Sequence, residues 1–263
     1  MAFKWNWELI KYEVQDRTVI ITMNRPEKRN ALNPQLVREL SEAFTRAEND
    51  RKARVVVLTG EGKAFSAGAD LEYIKQMQDA SYEDNLADSL RLMELFKLIY
   101  TLNKPVIAAL NGHAIAGGCG LATVCDFIFS VPEAKLGYTE VRIGFIPAIV
   151  STFLIRRIGE GKARELLLTG KLITAEEALK INLINRIVPA DKLLSETLEF
   201  ARQLAETTSG EAVARTKWLI ANIYNFPFPQ NMEFAAEQNA KARQTRDCKI
   251  GISRFLKKEE QKW

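Results

Sequence analysis

An α/β core closed by a helical C-terminal region is the fold class that this sequence predicts, and three observations predict it. Runs rich in β-branched residues alternate with helically spaced apolar residues through the first half of the chain. Beyond Gly144 the spacing turns mostly helical, and helices alone close the sequence. The composition, 47% hydrophobic and 27% charged over 263 residues, is that of an ordinary folded chain and excludes disordered and collagen-like ones. That length holds one large domain, or one with a small appendage. We divide it into a core over 1–195 and a helical region over 196–263.

The N-terminal elements read as a hairpin and a helix. Residues 10–14 and 18–23 are rich in β-branched side chains, with Gln15-Asp16-Arg17 as the turn between them. Asn33-Pro34 is an N-cap followed by proline at the first helical position, and Leu36, Leu40, Ala43, Phe44 and Ala47 then share one face. Residues 54–58 form a buried strand closed by Thr59-Gly60-Glu61-Gly62. Ser81 with Asp84 resembles a capping box, opening a helix marked by Leu86, Leu90, Met93 and Phe96. Residues 105–110 and 126–130 are further strands. Thr174 with Glu177 caps a helix through Lys180. Helical spacing returns near 195–206, 210–224, 230–245 and 247–257, with Pro227 and Pro229 breaking the series. There is no internal repeat, low-complexity tract or flexible linker.

Several function classes are excluded. Residues 105–125 carry no formal charge over 21 residues, about the length of a membrane span. The stretch contains Pro105, Asn111, His113 and four glycines, and Asp126 follows at once. A buried strand, a glycine turn and a buried helix account for it, and no membrane partner is expected. Residues 1–8 hold no apolar run of leader length, and the three cysteines, Cys119, Cys125 and Cys248, form no disulfide framework; both point to a reducing, cytoplasmic location. The net charge of +4 is too small to suggest a nucleic-acid partner. His113 is the only histidine, and Cys119 and Cys125 lack companions at ligand spacing, so no metal is expected. No phosphate-binding loop or serine elbow is present. The run Gly117-Gly118-Cys119-Gly120 fails the dinucleotide spacing and lacks its acidic partner, so no nucleotide cofactor is expected.

Two small-residue turns remain as candidate chemistry. One is Ala64-Phe65-Ser66-Ala67-Gly68-Ala69-Asp70-Leu71; the other runs from Asn111 to Gly120, between a strand and a helix. Small residues let backbone approach a ligand closely, and a helix N-terminus presents unpaired N–H groups to negative charge. Either turn alone reads as a tight connection. Two of them facing each other would form an oxyanion hole.

The chain resembles the enoyl-CoA hydratase/isomerase (crotonase) superfamily along nearly its whole length. The resemblance rests on Asn24-Arg25-Pro26-Glu27-Lys28-Arg29-Asn30-Ala31-Leu32-Asn33, Phe65-Ser66-Ala67-Gly68-Ala69-Asp70-Leu71 and Lys104-Pro105-Val106-Ile107-Ala108-Ala109-Leu110-Asn111-Gly112. It continues through Ala116-Gly117-Gly118, Cys125-Asp126, Gly137-Tyr138-Thr139-Glu140, and Gly251 with Phe255. It implies a spiral of strand–strand–helix turns that binds an acyl-CoA thioester, and C-terminal helices that pack into trimers, often paired as hexamers. The chemistry it implies is stabilisation of a thioester enolate by the N–H groups of Ala69 and Gly117, with coenzyme A as part of the substrate and no separate cofactor. By the same resemblance Lys28 and Arg29 meet CoA phosphates, and Ala31, Ala67, Asp70 and Leu71 line the adenine and pantetheine region. Phe255 and Lys258 meet CoA from the C-terminal end, often across a subunit boundary. His113 occupies a variable position and reads as structural.

Family hydratases usually carry two catalytic glutamates. One matches Glu140, while the other falls at Gly120, which belongs to the substrate-contacting set but has no side chain. Two carboxylates divide water addition easily, one orienting water and one protonating the α-carbon; a single carboxylate suffices if one water supplies both fragments. Shifting a double bond from the 3,4 to the 2,3 position needs only one base. The expectation is therefore an enoyl-CoA hydratase; Gly120 together with the segment 140–151 resembles a methylglutaconyl-CoA hydratase-like branch of the family, and that resemblance implies a branched substrate such as methylglutaconyl-CoA. The alternatives are a Δ3-Δ2-enoyl-CoA isomerase using Glu140 alone, and a non-catalytic binding scaffold. A haloaryl-CoA dehalogenase would need an aspartate near Pro147 and a tryptophan in place of Glu140, and a dienoyl-CoA isomerase an additional acid. Arg142 reads as a structural ion-pair residue, or as a group that binds a second substrate carboxylate.

Overall fold

The computed structural model describes residues 6–263, so Met1 to Trp5, part of the segment read as lacking a leader, lie outside the described residues. β1 (Ile10–Gln15) and β2 (Thr18–Met23) pair antiparallel through a tight turn at Asp16 and Arg17, both at positive φ. α1 (Pro34–Asn49) starts as expected: Asn33 Oδ1 accepts from Leu36 N, and Leu36, Leu40, Ala43, Phe44 and Ala47 are buried. β3 (Val55–Gly60), β4 (Ala64–Ser66), α2 (Leu71–Gln76) and α3 (Tyr82–Thr101) follow. Next come β5 (Val106–Leu110), β6 (His113–Ile115) and α4 (Gly117–Thr123), then β7 (Phe127–Ser130) and β8 (Lys135–Gly137).

These elements wind as a spiral. The main sheet has the order β1-β2-β3-β5-β7 with β10 (Arg186–Ile187) at its edge, and is parallel beyond the first hairpin. The second sheet runs β4-β6-β8 in parallel and ends on β9 (Ile173–Thr174), which is antiparallel to β8. Each turn contributes a long strand to the first sheet, a three-residue strand to the second, and then helix. Strands β3 and β5 are buried along nearly their whole length, as parallel strands covered on both faces must be. The uncharged stretch 105–125 resolves into β5, β6 and α4, and no described helix is long and apolar enough to cross a membrane.

Helices complete the chain: α5 (Ala148–Ile158), α6 (Glu160–Thr169), α7 (Ala175–Lys180), α8 (Leu193–Thr207), α9 (Gly210–Asn222), α10 (Phe228–Arg243) and α11 (Arg246–Leu256). The Thr174–Glu177 capping box is present in both directions. Pro229 sits in the first turn of α10, where its missing N–H costs nothing, so it opens a helix rather than only breaking the series. The boundary read at 195/196 falls inside α8, which packs on β2, β3, β5 and β7 and thereby belongs with the core. The apolar face of α3 also differs from its expected form. Leu95, Phe96 and Ile99 are buried, whereas Leu86 and Leu90 are 42% and 46% exposed. Spacing identifies a stripe but not how far the core extends beneath it, and here it ends halfway along the helix.

One buried charge docks the closing helices. Lys217 of α9 is 7% exposed; its Nζ donates to Asp126 Oδ2 at 2.6 Å and to the carbonyls of Ile99 and Lys104 at 3.1 Å. Asp126 Oδ2 also accepts from Val106 N at 2.7 Å. The ammonium thus has three oxygen partners, which is what a buried cation requires.

Candidate active site

The second sheet brings three chain segments to one edge. β4, β6 and β8 are parallel neighbours, so the residues after each strand emerge side by side at their carboxyl ends, the usual place for a site in parallel α/β sheets. Those residues are Ala67 to Asp70, Ala116 with Gly117, and Tyr138 to Glu140.

The first turn is held from below by the run that begins at Asn24. The side chain of Asn30, fully buried, donates to Glu61 O and Ala64 O and accepts from Arg25 N. Ser66 Oγ donates to Asn30 O at 2.8 Å. Leu32 N donates to Gly68 O and Asp70 N to Leu32 O, a parallel bridge that satisfies the amides on both sides of Ala69 but leaves its own N–H pointing away. Gly68 has φ +89°, and a Cβ there would lie 2.8 Å from Ile115 O and 3.3 Å from Gly117 N; only glycine permits that approach.

The second turn is strained. Ala116, the residue before α4, holds φ 51° and ψ −128°, a conformation rare for a side chain, and its N donates to Gly137 O at 2.7 Å. Gly117 is therefore the first residue of α4, where N–H groups lack helical acceptors. A Cβ built on Gly117 would lie 4.0 Å from Ala69 N. Among the described residues no protein acceptor pairs with either amide, and Ala69 is exposed. Two free N–H groups thus stand next to each other.

Glu140 opens a short 3-10 turn, Glu140–Ile143, ended by Gly144 at φ 76°. The residue is 9% exposed, and its Oε2 is buried with no hydrogen-bond partner among the described residues. Burial pushes its carboxyl above the usual value, a backbone hydrogen bond offsetting only part of that shift. A buried, orphaned carboxyl with a raised proton affinity is a candidate for proton transfer, and no structural pair occupies it among the described residues. Arg142 makes no ion pair among the described residues; it is exposed and lies against Gly170, which overturns its reading as an ion-pair residue.

The other predicted positions divide into two groups. Ala31, Ala67, Asp70 and Leu71 belong to the first turn and its support, and Lys28 and Arg29 flank it, both exposed, with Lys28 Nζ 2.9 Å from Glu72 Oε1. The Asp70 carboxylate is committed: it caps α2 and pairs with Arg25 at 3.0 Å. Burial opposes its ionisation, but the bonds from Arg25, Tyr73 N and Glu72 N prevail and hold it below the usual carboxylate value. Gly120 is buried on α4, and a Cβ there would lie 2.1 Å from Val150 Cγ1 and 3.0 Å from Phe96 Cε2. The space in which a first glutamate would start is filled by α5. Phe255 and Lys258 lie on and just after α11, which packs on α9 and α10; no hydrogen bond or ion pair joins either side chain to the three turns among the described residues, and Phe255 is 76% exposed. His113 Nδ1 accepts from Lys135 N at 3.0 Å, a structural contact between β6 and β8.

Sequence reasoning missed Arg25 and Asn30 as supports. Arg25 is buried and bonds both Ala31 O and Asp70 Oδ2. The signal available was Asp70 itself, an aspartate placed where a helix N-cap belongs. Burial also pushes the thiols of Cys119 up to about 11 and Cys125 up to about 12, so neither is an available nucleophile.

Comparison with known proteins decides the family. Residues 13–263 match the enoyl-CoA hydratase/isomerase family. The chain belongs to it. A Thermus thermophilus relative with enoyl-CoA hydratase in its name is 44% identical over 239 residues, 91% of this chain and 94% of its own length. A Syntrophomonas wolfei protein named crotonyl-CoA hydratase is 34% identical over 255 residues, 96% of each chain. The crystal structure of a Mycobacterium smegmatis enoyl-CoA hydratase superposes with a TM-score of 0.89 at 30% identity, covering 97% of this chain and 99% of that one. The chain is thus an enzyme of the enoyl-CoA hydratase/isomerase type acting on acyl-CoA thioesters, and the spiral with its helical C-terminal region is the fold of this family.

Proposed function

We propose that the chain is an enoyl-CoA hydratase, a hydro-lyase in which Glu140 is the principal acid/base and the N–H groups of Ala69 and Gly117 form the oxyanion hole. The observation that carries it is the buried, unpartnered Glu140 carboxyl at the same sheet edge as two unpaired amides. As water attacks C3 of a 2-enoyl thioester, negative charge moves onto the thioester oxygen; donors already in place there bind the transition state better than the ground state. Glu140 takes the water proton as the C3–O bond forms and returns a proton to C2 of the enolate, so one water supplies both fragments. The raised carboxyl value brings this acid/base nearer neutral pH. Lys28 and Arg29 would hold the CoA phosphates, Ala31, Ala67, Asp70 and Leu71 border the adenine and pantetheine, and Phe255 with Lys258 would reach CoA from a neighbouring copy.

A second reading has its own observation. Val150 and Phe96 fill the space at Gly120, so a second carboxylate has no room. Isomerisation of a 3-enoyl thioester needs only Glu140, which removes a proton at C2 and returns it at C4. A branched substrate with a second carboxylate, such as 3-methylglutaconyl-CoA, draws support from the exposed Arg142, without an ion-pair partner among the described residues and two residues beyond Glu140.

Incubation with crotonyl-CoA, 3-methylglutaconyl-CoA and a 3-enoyl-CoA tests these readings. Hydration adds the mass of one water; isomerisation leaves the mass unchanged and produces conjugated enoyl absorbance. Turnover of the 3-enoyl ester alone would overturn the hydratase. The chemistry needs no metal, and activity is expected to survive chelation. We also propose self-association: light scattering should give a mass near three or six chains, and a clean monomer at micromolar concentration would contradict it.

A further inference from the structure

Tyr138 follows the last residue of β8 and precedes the Glu140 turn by two residues, and the chemistry proposed above gives it no part. It is fully buried, a position in which its O–H must find an acceptor. That hydroxyl lies 2.6 Å from Thr123 Oγ1. Thr123 has one hydroxyl proton, and it goes to Cys119 O at 2.8 Å. With the Thr123 proton on the Cys119 carbonyl, the phenol is the donor to Thr123 Oγ1, and the Cys119 thiol lies within reach of the same two hydroxyls, so both partners of the phenol belong to α4. Thr123 and Cys119 both belong to α4, whose first residue is Gly117. Burial pushes the phenol well above its ordinary value, so it keeps that donor proton over the whole neutral range.

A second anchor lies on the far side of Glu140. α5 follows the turn, and its Val150 sits against Gly120 of α4 so closely that no Cβ would fit there. The segment carrying Glu140 is thus fastened to one helix before and after the carboxylate. Between the anchors Ile143 and Ile146 are each 67% exposed, so the turn has little packing of its own.

We propose that Tyr138 is a positioning residue: through Thr123 it sets the separation between the Glu140 carboxyl and the Gly117 N–H. This rests on the reading of Glu140 as the acid/base. Proton transfer to carbon tolerates little misplacement, and a shift near 1 Å costs up to about 10²-fold in rate.

Tyr138→Phe keeps the ring and removes only the donor. With crotonyl-CoA, kcat is expected to fall about 10-fold to 100-fold, with KM little changed and the acid limb of the pH–rate profile displaced as the carboxyl's surroundings alter. Thr123→Val should give the same loss, and Thr123→Ser, which restores the hydroxyl, should keep most of the activity. The double variant Tyr138→Phe/Thr123→Val should be no worse than either single change, because the two residues act through one chain. Wild-type kcat and an unchanged pH profile in Tyr138→Phe would overturn the proposal, as would losses that multiply in the double variant. Should Tyr138→Phe fail to fold, Thr123→Ser against Thr123→Val decides the matter, equal activities overturning it. Wild-type turnover in Glu140→Gln would instead overturn the underlying reading, whereas an inactive Glu140→Gln beside a fully active Tyr138→Phe defeats this inference alone.

Discussion

The sheet edge that carries Glu140 and the closing helices leave opposite kinds of surface without partners. At the edge the unpaired groups are polar: the N–H groups of Ala69 and Gly117, and Glu140 Oε2. On α10 and α11 they are apolar: Phe228 and Leu256 are each 75% exposed, and Met232, Ile252 and Phe255 more than half exposed. An unpaired polar group is costly unless a ligand completes it, so it marks a site prepared for changing charge. An apolar patch is costly to leave in water and is completed by another apolar surface. If the proposed function holds, the first region serves chemistry and the second contact with another copy, while Lys217 docks α9, on which α10 and α11 pack, to the core.

The largest expected effect tests the polar half of that contrast. Glu140→Gln preserves shape and removes the proton acceptor, so kcat should fall by about 10²–10⁴ while CoA-ester binding is largely retained. If Glu140 were an ordinary surface carboxylate its replacement would matter by at most about 1 kcal/mol. Steady-state kinetics on crotonyl-CoA separate the two, and near-wild-type turnover would remove the site from this edge.

The charge that docks α9, and with it α10 and α11, on the core comes next. Lys217→Met deletes the ammonium that three oxygens share and leaves Asp126, whose Oδ2 then keeps only Val106 N. Breaking a fully buried pair on one side costs about 3–5 kcal/mol, and because Asp126 is partly exposed and keeps its bond from Val106 N the loss here should be about 1–3 kcal/mol. Denaturant unfolding should show that loss in the first transition. A loss under about 1 kcal/mol would mean that α9 is docked by its apolar contacts alone.

What was legible in the sequence follows the range of the forces involved. Capping and periodicity act over one turn, and the Asn33 and Thr174 caps and the buried face of α1 lie where those rules put them. The three-residue strands β4, β6 and β8 are too short to show any period, yet they alone bring the three turns to one edge. The likeness of the small-residue runs to a known family supplied that juxtaposition in advance. It could not supply the packing of Val150 on Gly120, the pairing of Asp70 with Arg25, or the exposure of Leu86 and Leu90, because each depends on what the rest of the chain lays against the residue.

Gly120→Glu sharpens the description of the polar edge. A side chain at this position meets Val150 Cγ1 at 2.1 Å and Phe96 Cε2 at 3.0 Å, both on helices whose contacts there are buried. Overpacking of this kind costs about 1–3 kcal/mol, so the single variant should lose stability without gaining hydration of crotonyl-CoA. Gly120→Glu combined with Val150→Ala should recover part of the loss. A fully stable single variant with faster hydration would show that α5 yields readily, and that the slot is closed by preference rather than by packing.

The smallest effect concerns stability against pH, where the two carboxylates of the edge oppose each other. Asp70 is held below its ordinary value, so its ion pair with Arg25 contributes stability above the unfolded-state value and loses it as pH falls through the folded one. Glu140 is raised by burial, so between its unfolded value and its folded value the folded chain keeps a proton that the unfolded chain has released. Stability therefore declines as pH rises through that window, and the deficit stays constant above it. Glu140→Gln carries no charge to bury and escapes this decline. Its Tm should exceed that of the wild type at neutral pH, and the gap should close as pH drops below 4.5, the ordinary carboxylate value, where the wild-type side chain is neutral in both states. Thermal unfolding of the two proteins across that range measures the difference directly. A gap of constant size, or a Glu140→Gln protein that is less stable at neutral pH, would show that the carboxylate is compensated in the folded chain, and would place Glu140 with Asp70 among the groups that hold the edge together.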